Sequence, residues 1–243
     1  MVRLHGEPPT HLSYAALEAL GVRHAFTTRH HGNFARPTPA DGPAFRAIGV
    51  PGSALRYVRQ VHGTALLVAD GHPPGLVGTA DGIITGRPGT PLAIFTADCL
   101  AVILADPAQQ VLALAHVGWR GTAAGLLGPL VGTLATRFGT APERLVAAIG
   151  PSIGPCCYEV DAPVLEAFRR AFPGDWARWT RPRGEGKWWL DLWQANADQL
   201  VLAGLRAEAI HNARLCTACR RDLFFSYRKE GPRLSLAALA VLG

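Results

Sequence analysis

The chain has a single methionine, Met1, and its nine histidines include no His-x-His pair. Blue and trinuclear copper centres draw on many imidazoles, commonly paired in that way, and often on an axial methionine. A full multicopper cluster is therefore excluded, while adventitious Cu(II) at a mixed His/Cys site stays compatible with the composition. No apolar run reaches the roughly 18 residues that a membrane-spanning helix needs, because Asp, Pro or Gly interrupts each one. The first nine residues hold no signal-peptide-like apolar segment, so a cytoplasmic location is expected. Internal repeats, low-complexity linkers and a basic tail are lacking as well.

The net charge of +6 is spread along the chain: residues 1–150 hold 11 Lys/Arg against 8 Asp/Glu, and residues 151–243 hold 13 against 10. With no basic arm, neither nucleic acid nor a membrane is an expected partner. The densest basic stretch, Arg178 to Lys187, lies among Trp176, Trp179, Trp188 and Trp189 and reads as a solvated loop with core tryptophans. Five cysteines in an unsecreted chain of this length do not make a disulfide framework. Cys156 and Cys157 are adjacent, a poor geometry for bonding to each other. Cys216 and Cys219 form a lone CTAC; without a second CxxC or an HxxxH it is at best half a zinc site, and it reads as two reduced thiols in a packed turn.

What is present is a core. At 243 residues, 49% hydrophobic and 17% charged, the sequence suits one globular domain over residues 1–243. β-type runs occur at Ala25–Thr28, Tyr57–Val61, Ala65–Val68, Gly82–Thr85, Leu92–Thr96, Leu100–Ala105, Val111–Ala115 and Leu145–Ile149, and Leu236–Leu242 reads as a buried strand. Several are apolar throughout, as strands covered on both faces are. A helical pattern follows Gly121 up to Phe138, with a kink or break expected at Gly128 and Pro129. Further helices are predicted from an Asp161 N-cap to Phe172 and over Leu192–Ala203. The pattern describes an α/β fold, a mixed αβ layered sandwich whose sheets are flanked by helices.

Three side chains stand where an apolar run meets a polar turn: His62 in QVHG, Cys99 in TADCL and His116 in AHVGWRG. Strand ends followed by Gly-rich turns are where α/β layers place ligand sites. Two imidazoles and a thiolate suit zinc, and three protein ligands leave a fourth position for water or substrate, the pattern of a catalytic rather than a structural site. Two other readings use the same residues. Cys99 and His116 can form a thiolate–imidazole dyad, as in a cysteine hydrolase or an amidase acting on a peptidoglycan precursor. Alternatively the three residues stabilise a non-catalytic zinc-dependent binding module.

QVHG, ADGIITGRPGTPLAIFTADCLAVILAD, LALAHVGWRGTAAGLL, IGPSIGPCCYEV and CTACRRDLFFSYRKEG, in this order, closely resemble the laccase-domain family. That family was once called multicopper polyphenol oxidoreductases and is now regarded as zinc-dependent purine nucleoside phosphorylases. The resemblance covers roughly residues 23–243. It implies a zinc site whose His, Cys and His fall on His62, Cys99 and His116, and an α/β layered fold akin to certain bacterial toxin deamidases. It also implies phosphorolysis of adenosine, inosine and methylthioadenosine, together with adenosine deamination, with purine nucleosides and inorganic phosphate as partners. There are departures. The usual TTRxGGVS segment reads TTRHHGNF at 27–34, the Asn-rich turn after it is replaced by a shorter Pro-rich one, and TGR becomes GPR at 231–233, although Arg29 and Arg233 still match.

Phosphorolysis requires that the protein hold an anion and help a purine leave. Arg29, Arg120 and Arg228 are the candidates for phosphate, since a guanidinium binds phosphate oxygens bidentately. Arg120, placed just before an expected helix N-terminus, can also borrow that helix's exposed N–H groups. Asp98 is the candidate to protonate the departing base or orient a zinc water, and equally reads as the cap of a strand-end turn.

Overall fold

Two mixed β-sheets stacked face to face carry the chain, and helices cover their outer surfaces. The computed structural model describes residues 1–34 and 42–243, so the Pro-rich departure lies outside the described residues. In chain order the N-terminal half forms β1 (Val2–His5), β2 (His11–Tyr14), α1 (Ala15–Glu18), β3 (Val22–Thr27), α2 (Pro43–Ile48), β4 (Arg56–Arg59), β5 (Leu66–Val68), β6 (Gly75–Thr79), β7 (Gly82–Thr85), β8 (Leu92–Thr96), β9 (Leu100–Asp106) and β10 (Val111–Val117). There follow α3 (Trp119–Ala123), α4 (Leu127–Phe138), β11 (Val146–Ile149), β12 (Glu159–Val160), α5 (Ala162–Ala171), α6 (Trp176–Trp179), β13 (Thr180–Gly184), β14 (Lys187–Leu190), α7 (Leu192–Leu202), β15 (Ile210–Asn212), α8 (Tyr227–Glu230) and β16 (Leu236–Leu242).

Strand order is β1-β2-β3-β16-β8-β4-β6 in one sheet and β15-β11-β9-β10-β7-β5 in the other, with a small β12-β14-β13 sheet beside them. Side-chain alternation along each strand builds the layers. In β9, Ala101, Ile103 and Ala105 face the core between the two large sheets, while Leu100, Val102 and Leu104 face the helical layer of α4 and α7. β16 does the same for the other sheet: Leu236, Ala238, Ala240 and Leu242 point to the inter-sheet core, and Ala237, Leu239 and Val241 meet Phe45 and Ile48 of α2. Both strands are apolar throughout because neither face meets water.

The expected mixed αβ layering is what the chain adopts. Gly82–Thr85, Leu92–Thr96 and Leu236–Leu242 form strands at the predicted bounds, and the other predicted strands shift by one to three residues at their ends. Asp161 and Phe172 flank α5, and α7 ends one residue before Ala203. The expected break in the helix after Gly121 falls earlier, at residues 124–126, where Gly125 takes φ 70°. Pro129 then sits in the first turn of α4, where a missing N–H costs nothing. Arg120 is accordingly the second residue of a five-residue helix, not the approach to a long one. The basic stretch at 178–187 is also not simply a loop. Most of it is the β13–β14 hairpin, and of its tryptophans only Trp179 is fully buried, with Nε1 donating to Asp198 at 2.8 Å. β1, β2, β6 and β12 to β15 went unpredicted; several are short, half-exposed and poor in apolar alternation.

Leu239 has no exposed surface and holds β16 onto α2. Leu239→Ala is expected to cost about 2–5 kcal/mol of unfolding free energy, read as a lower denaturant midpoint at unchanged slope.

Candidate metal centre and active-site cleft

β4 and β8 run parallel in the seven-stranded sheet, so their C-terminal ends lie at the same edge. From that edge the chain crosses twice to the six-stranded sheet, once through His62 on the way to β5 and once through Ala97, Asp98 and Cys99 on the way to β9. His116 lies near the end of β10, antiparallel to β9, in a register that pairs Val117 with Leu100 and so brings Gly118 opposite Cys99. The His62, Cys99 and His116 ligand atoms lie within 4.8 Å of one another. His62 is exposed, Cys99 half-buried and His116 buried. Both crossovers bend sharply: His62 and Asp98 take φ 59° and 78°, in the left-handed region that L residues seldom occupy outside constrained sites.

Asp81 fixes the two histidines. Fully buried, it accepts N–H bonds from Val61 at 3.2 Å, His62 at 3.0 Å and Gly63 at 2.7 Å, and its Oδ1 lies 2.8 Å from His116 Nδ1. With Nδ1–H donating to Asp81, the Nε2 lone pair of His116 is the one left for a metal, the carboxylate–histidine arrangement common behind zinc ligands. Burial raises the Asp81 carboxyl, but bonds from His116 and the Gly63 and Val61 amides outweigh it and hold the group below its usual range. Burial likewise opposes charge on Cys99 and His116, yet their mutual bonding, with His62 and Asp81, brings the thiol down to about 7 and the imidazole up to about 9. Without metal the pair is therefore biased toward a thiolate beside an imidazolium, with the thiol about half ionised at neutral pH.

The donor set fits a zinc-class ion. A Cβ placed on Gly118 would stand 2.8 Å from Cys99 Sγ and 3.1 Å from His62 Nδ1, so the glycine leaves open the space that the donors enclose. Two imidazoles and one thiolate present the borderline-soft mixture that zinc accepts, with a fourth position free.

The donors open into a cleft of about 450 Å³, within the usual range for a small-molecule site. Arg120 and Arg228 line it together with Trp119, Tyr158, Phe95 and Asp98. The Arg120 guanidinium stacks 4.4 Å from the Trp119 ring and, among the described residues, has no carboxylate partner. Arg228 lies 5.3 Å over the Tyr158 ring and donates twice to the Glu159 carbonyl at 3.1 Å. Arg29 does not line the cleft: it is committed to Glu230 at 2.5 Å and stacks on Phe225. Glu230 in turn accepts from the Ser226 amide at 3.0 Å, so Arg29 braces the segment that presents Arg228. Asp98 has both oxygens engaged, accepting from Thr217 Oγ1 at 2.6 Å, Ser226 Oγ at 3.0 Å and the Arg228 amide at 2.7 Å.

Asp81 and Tyr158 were not singled out from the sequence. An aspartate heading the apolar strand GIIT was the available signal for the first; nothing local marks the second.

A family profile described as multi-copper polyphenol oxidoreductase laccase matches residues 43–241. The chain belongs to this family. The donor set that the chain offers at this site is two imidazoles and one thiolate. Among curated relatives, a purine nucleoside phosphorylase of Xylella fastidiosa is 38% identical over 202 residues, 81% of this chain and 75% of that protein. Purine nucleoside phosphorylase YlmD of Geobacillus stearothermophilus is 41% identical over 150 residues, 62% of this chain but only 55% of that protein's length. Among solved structures, YfiH of Bacillus licheniformis superposes with a TM-score of 0.90 at 27% identity, over 100% of this chain and 99% of that one. Among the described residues, no helix is long and apolar enough to cross a membrane.

Gly118→Ala is expected to remove most bound metal, since its methyl group would meet Cys99 Sγ and His62 Nδ1. Asp81→Asn is expected to weaken metal affinity about 10–100-fold by loosening the His116 tautomer. Competition against a chromophoric chelator reads both, with circular dichroism confirming that each variant stays folded.

Proposed function

We propose that the chain is a metal-dependent purine nucleoside phosphorylase, acting on adenosine, inosine and methylthioadenosine, with adenosine deamination as a second activity. One observation carries the reading: the His62/Cys99/His116 donor set shares its cleft with Arg120, Arg228 and aromatic walls. The phosphorylase names of the relatives point the same way.

In this reading His62, Cys99 and His116 hold zinc, and the bound ion supplies Lewis acidity toward an oxygen or a water. Arg120 and Arg228 hold the attacking phosphate beside the ribose, each offering a planar set of N–H donors. Trp119 and Tyr158 bound the space for the purine. Burial and the nearby Cys99 charge keep the Tyr158 phenol protonated, which makes it a hydrogen-bond donor for the departing base. Asp98 acts first as a positioning residue, because its carboxylate is spent on Thr217, Ser226 and the Arg228 amide; a proton-transfer role would have to break that set. Arg29 acts through Glu230 on the same segment.

The rival hydrolase reading has the metal-free Cys99–His116 ion pair in its favour. It gives no part to His62 or to the open space at Gly118.

With inosine or adenosine, base release is expected to require inorganic phosphate and to yield ribose 1-phosphate. Arg120→Ala is expected to cost about 1.5–3 kcal/mol in kcat/KM for phosphate, the size of a lost hydrogen bond to a charged group. Base release that is equally fast without phosphate would reject phosphorolysis. Turnover of an amide substrate by metal-free protein, abolished by thiol alkylation, would instead favour the hydrolase.

A further inference from the structure

Cys156 and Cys157 lie in a tight turn after β11, closed by the Cys157 and Tyr158 amides donating to the Gly154 carbonyl at 2.9 and 3.0 Å. Cys216 and Cys219 lie in the turn after β15. A one-residue parallel bridge, Ser152 to Cys216, joins the two segments, with the Ser152 amide donating to Leu215 and the Thr217 amide to Ser152. The sequence expectation of a lone CTAC is thus corrected: the fold supplies its other half as an adjacent cysteine pair 59 residues upstream in the numbering from Cys157 to Cys216.

The four sulfurs lie within 4.8 Å of one another, and Cys219 Sγ is 3.4 Å from both Cys156 Sγ and Cys157 Sγ. Four thiolates around one zinc at about 2.3 Å stand about 3.8 Å apart along each tetrahedral edge. The observed spacing brackets that edge. An iron–sulfur cubane holds its cysteines farther apart, and a disulfide would draw one pair together and leave the other two without a role. The Gly154 amide donates to Cys216 Sγ at 3.2 Å, the kind of bond that supports a thiolate ligand. Gly154 itself is needed for the approach: a Cβ there would stand 2.6 Å from the Trp193 ring and 3.2 Å from Cys216 Cβ.

We propose that Cys156, Cys157, Cys216 and Cys219 form a second metal site, separate from the His62/Cys99/His116 centre, that takes one thiophilic divalent ion such as zinc in a closed four-thiolate shell. Each thiol that ligates gives its proton to solvent, and no redox step is involved. With all four positions taken by protein the site is structural. It clamps two loops at the cleft: Tyr158, next to Cys157, forms one wall, and Thr217, between Cys216 and Cys219, donates to Asp98.

The decisive variant is His62→Ala/Cys99→Ala, which keeps all four clustered cysteines and removes the other thiolate. Loaded with cobalt(II), it is expected to bind one ion per chain with the intense thiolate charge-transfer absorption of a tetrahedral four-sulfur site. A folded variant that binds no cobalt, or binds it without that absorption, would overturn the proposal. A second measurement uses the unmodified chain. Cys156 and Cys219 are exposed, so alkylation followed by peptide mass mapping is expected to be slow with zinc present and at least about tenfold faster after chelation. Equal rates, or a disulfide between any two of the four, would contradict it. Loss of the His62/Cys99/His116 centre alone would leave both results unchanged.

Discussion

A buried carboxylate with no water around it must be fully bonded, and Asp81 meets that demand by gripping both histidine segments at once. Three backbone amides around His62 and the ring of His116 converge on its two oxygens, and its own carbonyl accepts the His116 amide at 2.7 Å. The strained φ of His62 is tolerated because those amide bonds hold it. Without Asp81 the His62 backbone and the His116 ring would lose the one anchor they share. Cys99 arrives independently, by the pairing of β9 with β10.

The cleft is a consequence of sheet stacking. Because β4 and β8 are parallel neighbours, both crossings between sheets leave from one edge, and the short segments that cross carry polar side chains into a gap that strands cannot fill. Gln60 extends the strand pairing at that edge, its side-chain amide exchanging bonds with the Phe95 backbone at 2.6 and 2.8 Å. Asp98 then ties the crossing to the Thr217 and Ser226 segments, so the cleft's far wall hangs on a second buried carboxylate. The two-sided apolar strands β9, β10 and β16 give this arrangement a rigid floor.

The strands buried on both faces were legible because a short, continuous apolar run between Gly, Pro or Asp residues fits a strand covered on both sides and is too short for a typical helix. The metal donors were legible for the opposite reason: His62, Cys99 and His116 interrupt that pattern at strand ends. Strands such as β1 and β13 were not, since exposed residues like Arg3 and Arg181 carry no period. Asp81 was hidden by its motif, where an aspartate before glycine reads as a turn. The contact between Cys157 and Cys219 depends on two distant loops meeting, which no local spacing encodes, and the same holds for the pairing of Arg29 with Glu230.

The central claim is that one ion sits between the two crossings and the end of β10. Anomalous diffraction at the zinc edge from metal-loaded crystals tests it most directly. The account predicts a peak within about 2.0–2.3 Å of His62 Nδ1, Cys99 Sγ and His116 Nε2. A fully loaded crystal with no peak among these three atoms would contradict it.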